Sequence, residues 1–364
     1  MKNIIFFLSI LFIFSQCTVV NKATKENAAF GLKDYYKNYF DIGVAVSANS
    51  LKDKNASLIF NEFNSLTAEN SMKMGPIHPA ENSYNWKDAD SILAFALNNK
   101  LKIRGHNLCW HQQAPKWFFI DSLGKQVTKE VLLARLKKHI FDVVGRYKGK
   151  VYAWDVVNEA ISDAPNEYLR NSAWYQIAGD EYIAKAFEYA HEADPAALLF
   201  YNDYNEISAI KRAKIIKLVK DLKAKGVPIN GVGLQGHWAI NEPSYAQLDS
   251  TLNDFSQLGL ILQITELDIS VYPKEHAARE RQTIDAATSF THEKEIKQAA
   301  VYKNCFELFR KYKQYISSVT FWNISDEHSW LDNFPVKNRK DYPLLFDTNN
   351  KRKHAYWQVA KWGK

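Results

Sequence analysis

Two glutamates follow strand-like runs of the sequence and suggest a pair of catalytic carboxyl groups. Glu159 ends the run VYAWDVVNE, and Glu266 ends the run LILQITE. Hydrolysis of a sugar acetal needs two carboxyl groups facing each other across the scissile bond, one protonated and one ionised. Carboxylates at the carboxyl ends of separate strands are typical of catalytic pairs on β/α barrels. The alternative is that each glutamate is only the first polar residue after a strand.

Neighbouring polar residues favour the catalytic interpretation. Asn158 precedes Glu159 and is suited to bind a sugar 2-hydroxyl, through a bond that strengthens in the transition state. His237 is a candidate partner for Glu266, because a donated hydrogen bond would keep that carboxylate ionised. Asp268 lies two residues beyond Glu266, on the same face of the strand, and would fix the imidazole. Taken singly, Asn158 reads equally well as a turn residue and His237 as a structural histidine.

These residues need a scaffold that brings distant strand ends together, and the sequence contains eight strand-like runs. The runs span residues 41–49, 63–70, 101–110, 151–159, 197–205, 229–238, 260–269 and 318–326. Helical patterns separate most of them, at residues 88–99, 129–147, 180–193, 207–225, 245–258 and 293–312. The first two runs show no clear helix between them. Alternating strands and helices predict a parallel sheet, and eight repeats predict an α/β fold closed into a (β/α)8 barrel.

Polar residues concentrate at the carboxyl ends of these runs. They are Glu69, Asn70, His106, His111, Asn158, Glu159, Asn202, Asp203, Gln235, His237, Glu266, Asp268, Asn323 and Asp326. In a barrel all these ends meet on one face. So many hydrogen-bonding groups are not needed for folding, and together they suit a ligand covered in hydroxyl groups.

Composition indicates an ordered chain with an ordinary soluble surface and argues against a nucleic-acid partner. The chain has 364 residues, 46% of them hydrophobic and 24% charged, which is enough apolar material for a large core. The net charge is +7, but Lys and Arg are scattered over helical stretches and not clustered as in nucleic-acid binders. Aromatic residues make up 14%, and we expect those next to strand ends to offer flat faces to sugars.

The N-terminus resembles a lipoprotein-type signal peptide over residues 1–17. Lys2 is followed by an apolar run over residues 4–14, which is too short to span a bilayer. We expect cleavage before Cys17 and lipid attachment there, a tether over residues 18–30, and a single catalytic domain over residues 31–364. Gln16 departs from the usual small residue, so ordinary cleavage nearby and secretion is the alternative. The predicted location is an exported, membrane-anchored lipoprotein, periplasmic or surface-facing, with no other membrane contact.

The remaining cysteines, Cys109 and Cys305, are too few for a disulfide framework. One lies in a strand-like run and the other in a helical run, so we expect buried thiols. The Cys and His spacing suggests no metal site, and no cofactor is expected.

The chain resembles glycoside hydrolase family 10, the endo-β-1,4-xylanases, from about residue 35 to 364. The matching stretches are FNSLTAEN with Lys73, RGHNLCWH, WDVVNEA, YNDYN, GVGLQGHW, ITELDI, WNISDEHSW and PLLFD. The resemblance implies that Glu159 is the acid/base and Glu266 the nucleophile of a retaining enzyme. It implies further that xylan-binding residues line the cleft: Glu69, Asn70, Lys73, His106, Trp110, Asn158, Gln235, His237, Trp322 and Trp330. Asp268, Asn202 and Tyr204 are expected to support these residues from behind.

Three positions depart from the family pattern. Ala68 stands where many members have Pro, Met74 where many have Trp, and Asn323 follows Trp322 where the family often has Gly. We expect these changes to alter subsite shape and the adjoining loop without touching the catalytic pair. The charged segment over residues 273–292 leaves that part of the cleft rim unpredicted.

The sequence therefore predicts an endo-β-1,4-xylanase that acts as a monomer on xylan. One alternative is another barrel glycosidase with the same carboxyl pair, acting on β-glucan or mannan. A xylanase cleft should be closed near C5 of the sugar, because xylose lacks a hydroxymethyl group, and Lys73 and Trp322 would supply that closure. Another alternative is a surface glycan-binding protein that reuses the fold, which would not need both Glu159 and Glu266.

Overall fold

Parallel strands that close into a barrel form the centre of the protein. The computed structural model describes residues 30–274 and 290–361. Its strands are β1 (Asp41–Val46), β2 (Ser65–Ala68), β3 (Lys102–Trp110), β4 (Ala153–Asn158), β5 (Leu198–Asp203), β6 (Gly231–Leu234), β7 (His237–Ala239), β8 (Ile261–Ser270) and β9 (Ile316–Phe321). Eight of them pair in the order β6-β5-β4-β3-β2-β1-β9-β8, and parallel pairing of β6 with β8 closes the ring. The predicted (β/α)8 barrel is confirmed.

The strand predicted over residues 229–238 is two strands in the structure. β6 ends at Leu234 and β7 begins at His237. Gly236, between them, has a φ of +78°, a conformation that glycine adopts without steric cost. β8 pairs with β6 along its first half and with β7 along its last residues. The backbone N–H of Glu266 donates to the Gln235 carbonyl (2.8 Å) at this break, which places the two segments side by side.

Helices surround the barrel. They are α1 (Leu32–Tyr35), α2 (Asp53–Glu62), α3 (Met74–Ile77), α4 (Lys87–Asn98), α5 (Lys129–Arg146), α6 (Ala173–Ala178), α7 (Glu181–Ala193), α8 (Ala209–Ala224), α9 (Tyr245–Ser256), α10 (His292–Lys311) and α11 (His354–Ala360). The six predicted helices correspond to α4, α5, α7, α8, α9 and α10 within two residues at each end. α2 connects β1 to β2, where the sequence shows no clear helical pattern. Ile59 is its one fully buried apolar residue, and it lies in the consecutive apolar run Leu58-Ile59-Phe60, which does not show helical spacing by itself.

Both remaining cysteines are buried in this framework. Cys109 lies in β3 and Cys305 in α10, and both are free thiols. Burial raises the pKa of each thiol well above its usual range, which makes both unreactive. Among the helices that the structure describes, none has the length and apolar character needed to cross a membrane.

Some sequence predictions concern residues outside the described ranges. The signal peptide (residues 1–17), nearly all of the tether (18–30) and most of the charged segment 273–292 fall there. Export, lipid attachment at Cys17 and the domain boundary near residue 30 therefore stay predictions.

Candidate active site

Glu159 is held at a sharp turn directly after β4. Its backbone has a left-handed conformation, with φ at +57°, which is uncommon for a residue other than glycine. Its N–H donates to the Asn202 carbonyl on β5 (2.9 Å), and its carbonyl accepts from Arg170 Nε (3.1 Å). The carboxylate accepts hydrogen bonds from the Trp110 indole N–H (2.8 Å) and the Gln235 amide (3.0 Å). Backbone and side chain are thus both fixed.

Glu266 lies within β8 and is held by residues from three other strands. Its Oε1 accepts from the Asn202 amide on β5 (2.8 Å), and its Oε2 is 3.2 Å from Nε2 of His237 on β7. Nδ1 of His106 on β3 lies 4.0 Å from Oε1. Two hydrogen bonds, from Asn202 and His237, and the nearby imidazole of His106 favour the ionised form of this carboxylate.

Three amide side chains connect the two carboxylates. Asn202 Nδ2 donates to Glu266 and also to Oδ1 of Asn158 (2.9 Å). Gln235 Nε2 donates to Glu159 and lies 3.3 Å from the same Asn158 oxygen. Because Asn158 Oδ1 accepts both bonds, its amide NH2 group is set to donate elsewhere. The sequence assigned Asn202 a supporting role, and its contact with Glu266 is direct.

His237 lies between Glu266 and Asp268, and Trp330 covers it. Its Nδ1 is 2.9 Å from Asp268 Oδ2, which also accepts the Trp330 indole N–H (2.8 Å). The rings of His237 and Trp330 are 4.8 Å apart between centroids. Burial alone would lower the pKa of His237, but the charge and hydrogen bond of Asp268, with those of Glu266, raise it to about 9. The imidazolium therefore donates to both carboxylates at neutral pH.

A charged network inside the barrel positions His106, and sequence reasoning missed it. Asp155 on β4 accepts from His106 Nδ1 (2.8 Å) and pairs with both terminal nitrogens of the Arg104 guanidinium. Arg104 Nε also donates to Gln263 (2.7 Å). Arg104, Asp155 and Gln263 are fully buried. The sequence did contain a signal, since Arg104 and Asp155 each lie in the middle of one of two successive strand-like runs. Buried charges need partners, so two such charges predict a pair.

Lys73 lies between two tryptophans above the carboxylates. Its Nζ is 5.1 Å from the Trp110 ring centroid and 5.8 Å from that of Trp322, close enough for cation–π attraction. It also donates to Asn70 Oδ1 (3.0 Å). Burial lowers the pKa of Lys73, against the opposing attraction of Glu266, Glu69 and Glu159. The structure thus brings Lys73 and both tryptophans together, with Glu69 half-buried and Asn70 exposed on the same loop.

A second charged cluster lies behind Glu159. Arg170, which holds the Glu159 carbonyl, also donates to Tyr204 Oη (3.0 Å) and to Asp163 Oδ2 (3.0 Å). Lys211 Nζ is 2.9 Å from Asp163 Oδ1 and 3.2 Å from Asp203 Oδ1. Tyr204 is therefore linked to Glu159 through Arg170, and Asp203 adds a buried carboxylate near the site.

Asn323 is one of the three departures from the family pattern, and its backbone conformation is unusual. It follows Trp322 and has a φ of +119°, a region that glycine enters readily and other residues rarely do. The glycine expected here from the family resemblance would adopt this conformation without strain, whereas asparagine adopts it at some cost. Trp322 itself is buried, with its ring 5.2 Å from that of His106.

The two glutamates have opposite electrostatic environments. Burial raises the pKa of Glu159 to about 7, and repulsion from Asp203 and Glu266 adds to that effect. Burial alone would also raise the pKa of Glu266, but the attraction of His106 and the hydrogen bond of His237 outweigh it and lower the pKa to about 2. Between those values Glu159 carries a proton and Glu266 is ionised, so the pair can act as acid and nucleophile.

The described residues contain no group of three or more His, Cys, Asp or Glu side chains placed to hold a metal ion.

Comparison with known proteins places the chain among glycosidases. The family model described as glycosyl hydrolase family 10 matches residues 31–362. The chain is 49% identical over 330 residues to a β-1,4-xylanase of Dictyoglomus thermophilum, covering 91% of this chain and 90% of the relative. It is 47% identical over 331 residues to an endo-1,4-β-xylanase of Geobacillus stearothermophilus, covering 90% and 97%. The crystal structure of a Paenibacillus barcinonensis xylanase, complexed with a conduramine derivative, is similar with a TM-score of 0.87 and 44% identity, covering 91% and 98%.

Proposed function

The chain belongs to glycosyl hydrolase family 10, and from that membership we propose that it is a retaining endo-β-1,4-xylanase. Membership makes it a glycoside hydrolase; the substrate and the roles of single residues are our proposal. Retention of configuration is proposed from family membership, because an inverting pair shows the same pKa contrast. The observation that carries the acid and nucleophile roles is the different setting of the two carboxyl groups: Glu159 is buried near Asp203, whereas Glu266 contacts His237 (3.2 Å) and Asn202 (2.8 Å), which places the pKa of Glu159 at about 7 and that of Glu266 at about 2. Such a separation assigns the proton to one carboxyl group and the negative charge to the other.

In the first step, Glu159 donates its proton to the glycosidic oxygen as the bond from that oxygen to the anomeric carbon breaks. A carboxylate oxygen of Glu266 attacks the anomeric carbon from the opposite side and forms a glycosyl–enzyme ester. His237 and Asn202 hold Glu266 through hydrogen bonds of 3.2 and 2.8 Å. A carboxylate aimed in this way loses little freedom on reaching the transition state.

In the second step, water hydrolyses the ester. Glu159, now ionised, takes a proton from the water as its oxygen attacks the anomeric carbon, and Glu266 leaves as a carboxylate. The donors Trp110 and Gln235 (2.8 and 3.0 Å from Glu159) favour the ionised form that this step needs. Loss of the Glu266 charge in the ester removes one cause of the raised Glu159 pKa, so the same residue serves as acid and then as base.

Xylan is the proposed substrate for two reasons. The relatives named above are xylanases at 44–49% identity over most of their length. In addition, Lys73 Nζ lies 5.1 Å from the Trp110 ring and 5.8 Å from the Trp322 ring, and we propose that these three side chains narrow the cleft. A narrow cleft suits xylose, because xylose lacks the hydroxymethyl group of glucose and mannose. The Asn158 amide, with its oxygen already occupied, is proposed to donate to the sugar 2-hydroxyl.

The proposed substrate is tested by reducing-sugar release from xylan, carboxymethylcellulose and mannan. We expect xylan to be cleaved to short oligosaccharides at least about tenfold faster than the other two. Glu159→Gln and Glu266→Gln serve as matched controls that keep side-chain size. Faster release from carboxymethylcellulose or mannan would replace xylan with the glucan or mannan alternative. Xylan binding without product release would indicate a glycan-binding protein.

A further inference from the structure

Phe334 stacks on Trp330, the tryptophan that covers His237 beside Glu266. Its ring lies 5.2 Å from that of Trp330, with an angle of 19° between the ring planes. Parallel offset stacking of this kind is favourable beyond simple burial. Phe334 is nevertheless 48% exposed. A single exposed apolar side chain is ordinary on a protein surface; what distinguishes Phe334 is its stack on a tryptophan that contacts the candidate site.

The other contacts of Trp330 lead to Glu266. Its indole N–H donates to Asp268 (2.8 Å), and its ring contacts His237, whose Nε2 is 3.2 Å from Glu266. Asp268 is buried and His237 largely so. Phe334 differs from these partners because it is exposed and contacts Trp330 through a ring stack.

The loop that carries Phe334 is closed at its base by Asp332. The Asp332 carboxylate accepts from the Asp341 N–H (2.9 Å) and from Lys340 Nζ (2.7 Å), and its carbonyl accepts from the Arg339 N–H (3.1 Å). Trp330 and Asp332 belong to one 3-10 turn. Phe334 therefore lies two residues after Asp332, whose hydrogen bonds fix the base of the loop. Its position against Trp330 is set before any ligand binds.

We propose that Phe334 is a positioning residue that holds the Trp330 indole in the cleft wall and sets how closely the glycan is enclosed beside Glu266. This inference rests on the proposed function, because it concerns the enclosure of that function's substrate. Without Phe334 the indole keeps its bond to Asp268 but loses its outer support, so the wall opens outward. Substrate binding then weakens, while His237 and Asp268 continue to hold Glu266 for the chemical step.

The expected effect of Phe334→Ala is a rise in KM for xylotetraose of about three- to tenfold, the range that follows from the loss of one aromatic stack. The value of kcat should stay within about twofold of wild type. An opened wall also accepts bulky side groups more easily. The ratio of kcat/KM for an arabinosyl-branched xylo-oligosaccharide to that for the linear one should therefore rise.

The experiment measures kcat and KM on both oligosaccharides for Phe334→Ala, Phe334→Leu and Phe334→Tyr. Phe334→Tyr keeps the stacked ring and should behave like wild type, while Phe334→Leu should shift in the same direction as Phe334→Ala. The matched control is Phe60→Ala on α2, because Phe60 has the same 48% exposure and lies against Lys33 away from the cleft. That control should leave both kinetic constants unchanged.

The possible outcomes separate this inference from the proposed function. If the wild-type enzyme cleaves neither xylan nor xylotetraose, the proposed function is wrong. If it cleaves xylotetraose and folded Phe334→Ala keeps the wild-type KM and branched-to-linear ratio, only the role of Phe334 is wrong. Thermal melting verifies folding, and the same comparison is made with Phe334→Leu if the alanine variant does not fold.

Discussion

At the scale of single residues, the same amino acid performs two tasks because its surroundings differ. Glu159 accepts from two neutral donors, Trp110 and Gln235, and has a buried carboxylate, Asp203, nearby. Glu266 is held by His237 and attracted by His106. The sequence identified both glutamates and His237 from their positions at strand ends. It did not indicate how strongly Asp203 acts on Glu159, because that depends on the fold bringing β5 beside β4.

Asp203→Asn is predicted to move the alkaline limb of the pH profile to lower pH. The wild-type kcat/KM should fall as pH rises through about 7, where Glu159 loses the proton that the first step needs. Removing the Asp203 charge removes a repulsion that favours protonated Glu159, so the limb should lie roughly half a pH unit lower. No acidic limb is expected between pH 4 and 9 in either protein, because the pKa of Glu266 is about 2.

The measurement is kcat/KM on xylan oligosaccharides from pH 4 to 9, with Asp249→Asn as control. Asp249 pairs with Lys311 (2.7 Å) on the outer helix layer, so its replacement should leave the profile unchanged. A limb that stays in place or moves to higher pH in Asp203→Asn would show that Asp203 does not raise the Glu159 pKa.

At the scale of elements, adjacent strands make room for each other's side chains. Gly233 on β6 faces Asn202 on β5: a Cβ at Gly233 would lie 2.2 Å from Asn202 Oδ1 and 2.9 Å from Thr265 Cγ2. Those distances are too short for real contacts. The glycine thus gives Asn202 the space from which it reaches Glu266.

Gly233→Ala is predicted to reduce kcat by about 10²-fold, because the added methyl group displaces Asn202 and misplaces the nucleophile. The control is Gly145→Ala on α5, where an added Cβ would meet nothing within 4 Å. That control should keep full activity and change stability by no more than about 1 kcal/mol. Steady-state kinetics with thermal melting makes the comparison; a folded Gly233→Ala enzyme with wild-type kcat would contradict this role of the strand packing.

The sequence predicted helices and strands better than the breaks within strands and the side-chain contacts between them. Periodic apolar residues located six helices closely, whereas α2, with its one fully buried apolar residue, gave no clear pattern. The break at Gly236 was also missed, although a glycine between two polar residues inside a strand-like run is itself a signal of a bulge or a break. The Arg104–Asp155 pair could not be foreseen from either strand alone, since each charge is explained only by its partner on the neighbouring strand.

At the scale of the whole molecule, the barrel brings residues from seven of its eight barrel strands, or the loops after them, to one face. β2 contributes Lys73 through its loop, β3 His106 and Trp110, β4 Asn158 and Glu159, β5 Asn202, β6 Gln235, β8 Glu266 and Asp268, and β9 Trp322 and Trp330. This convergence was predictable, because strand–helix alternation fixes a barrel and a barrel fixes which ends meet. The distances between side chains on that face and the different pKa values of the two glutamates were not predictable, because they depend on side-chain packing across strands.

The most direct test of the account is to trap the covalent intermediate and locate it. A 2-deoxy-2-fluoro xylobioside with a good leaving group should form the ester quickly and release it slowly, since fluorine disfavours the positively charged transition state of both steps. After proteolysis, mass spectrometry should find one fluorosugar on the peptide that contains Glu266, and Glu266→Gln should show none. A label on Glu159, or turnover of the reagent to inverted product without any adduct, would contradict the assignment of Glu266 as nucleophile.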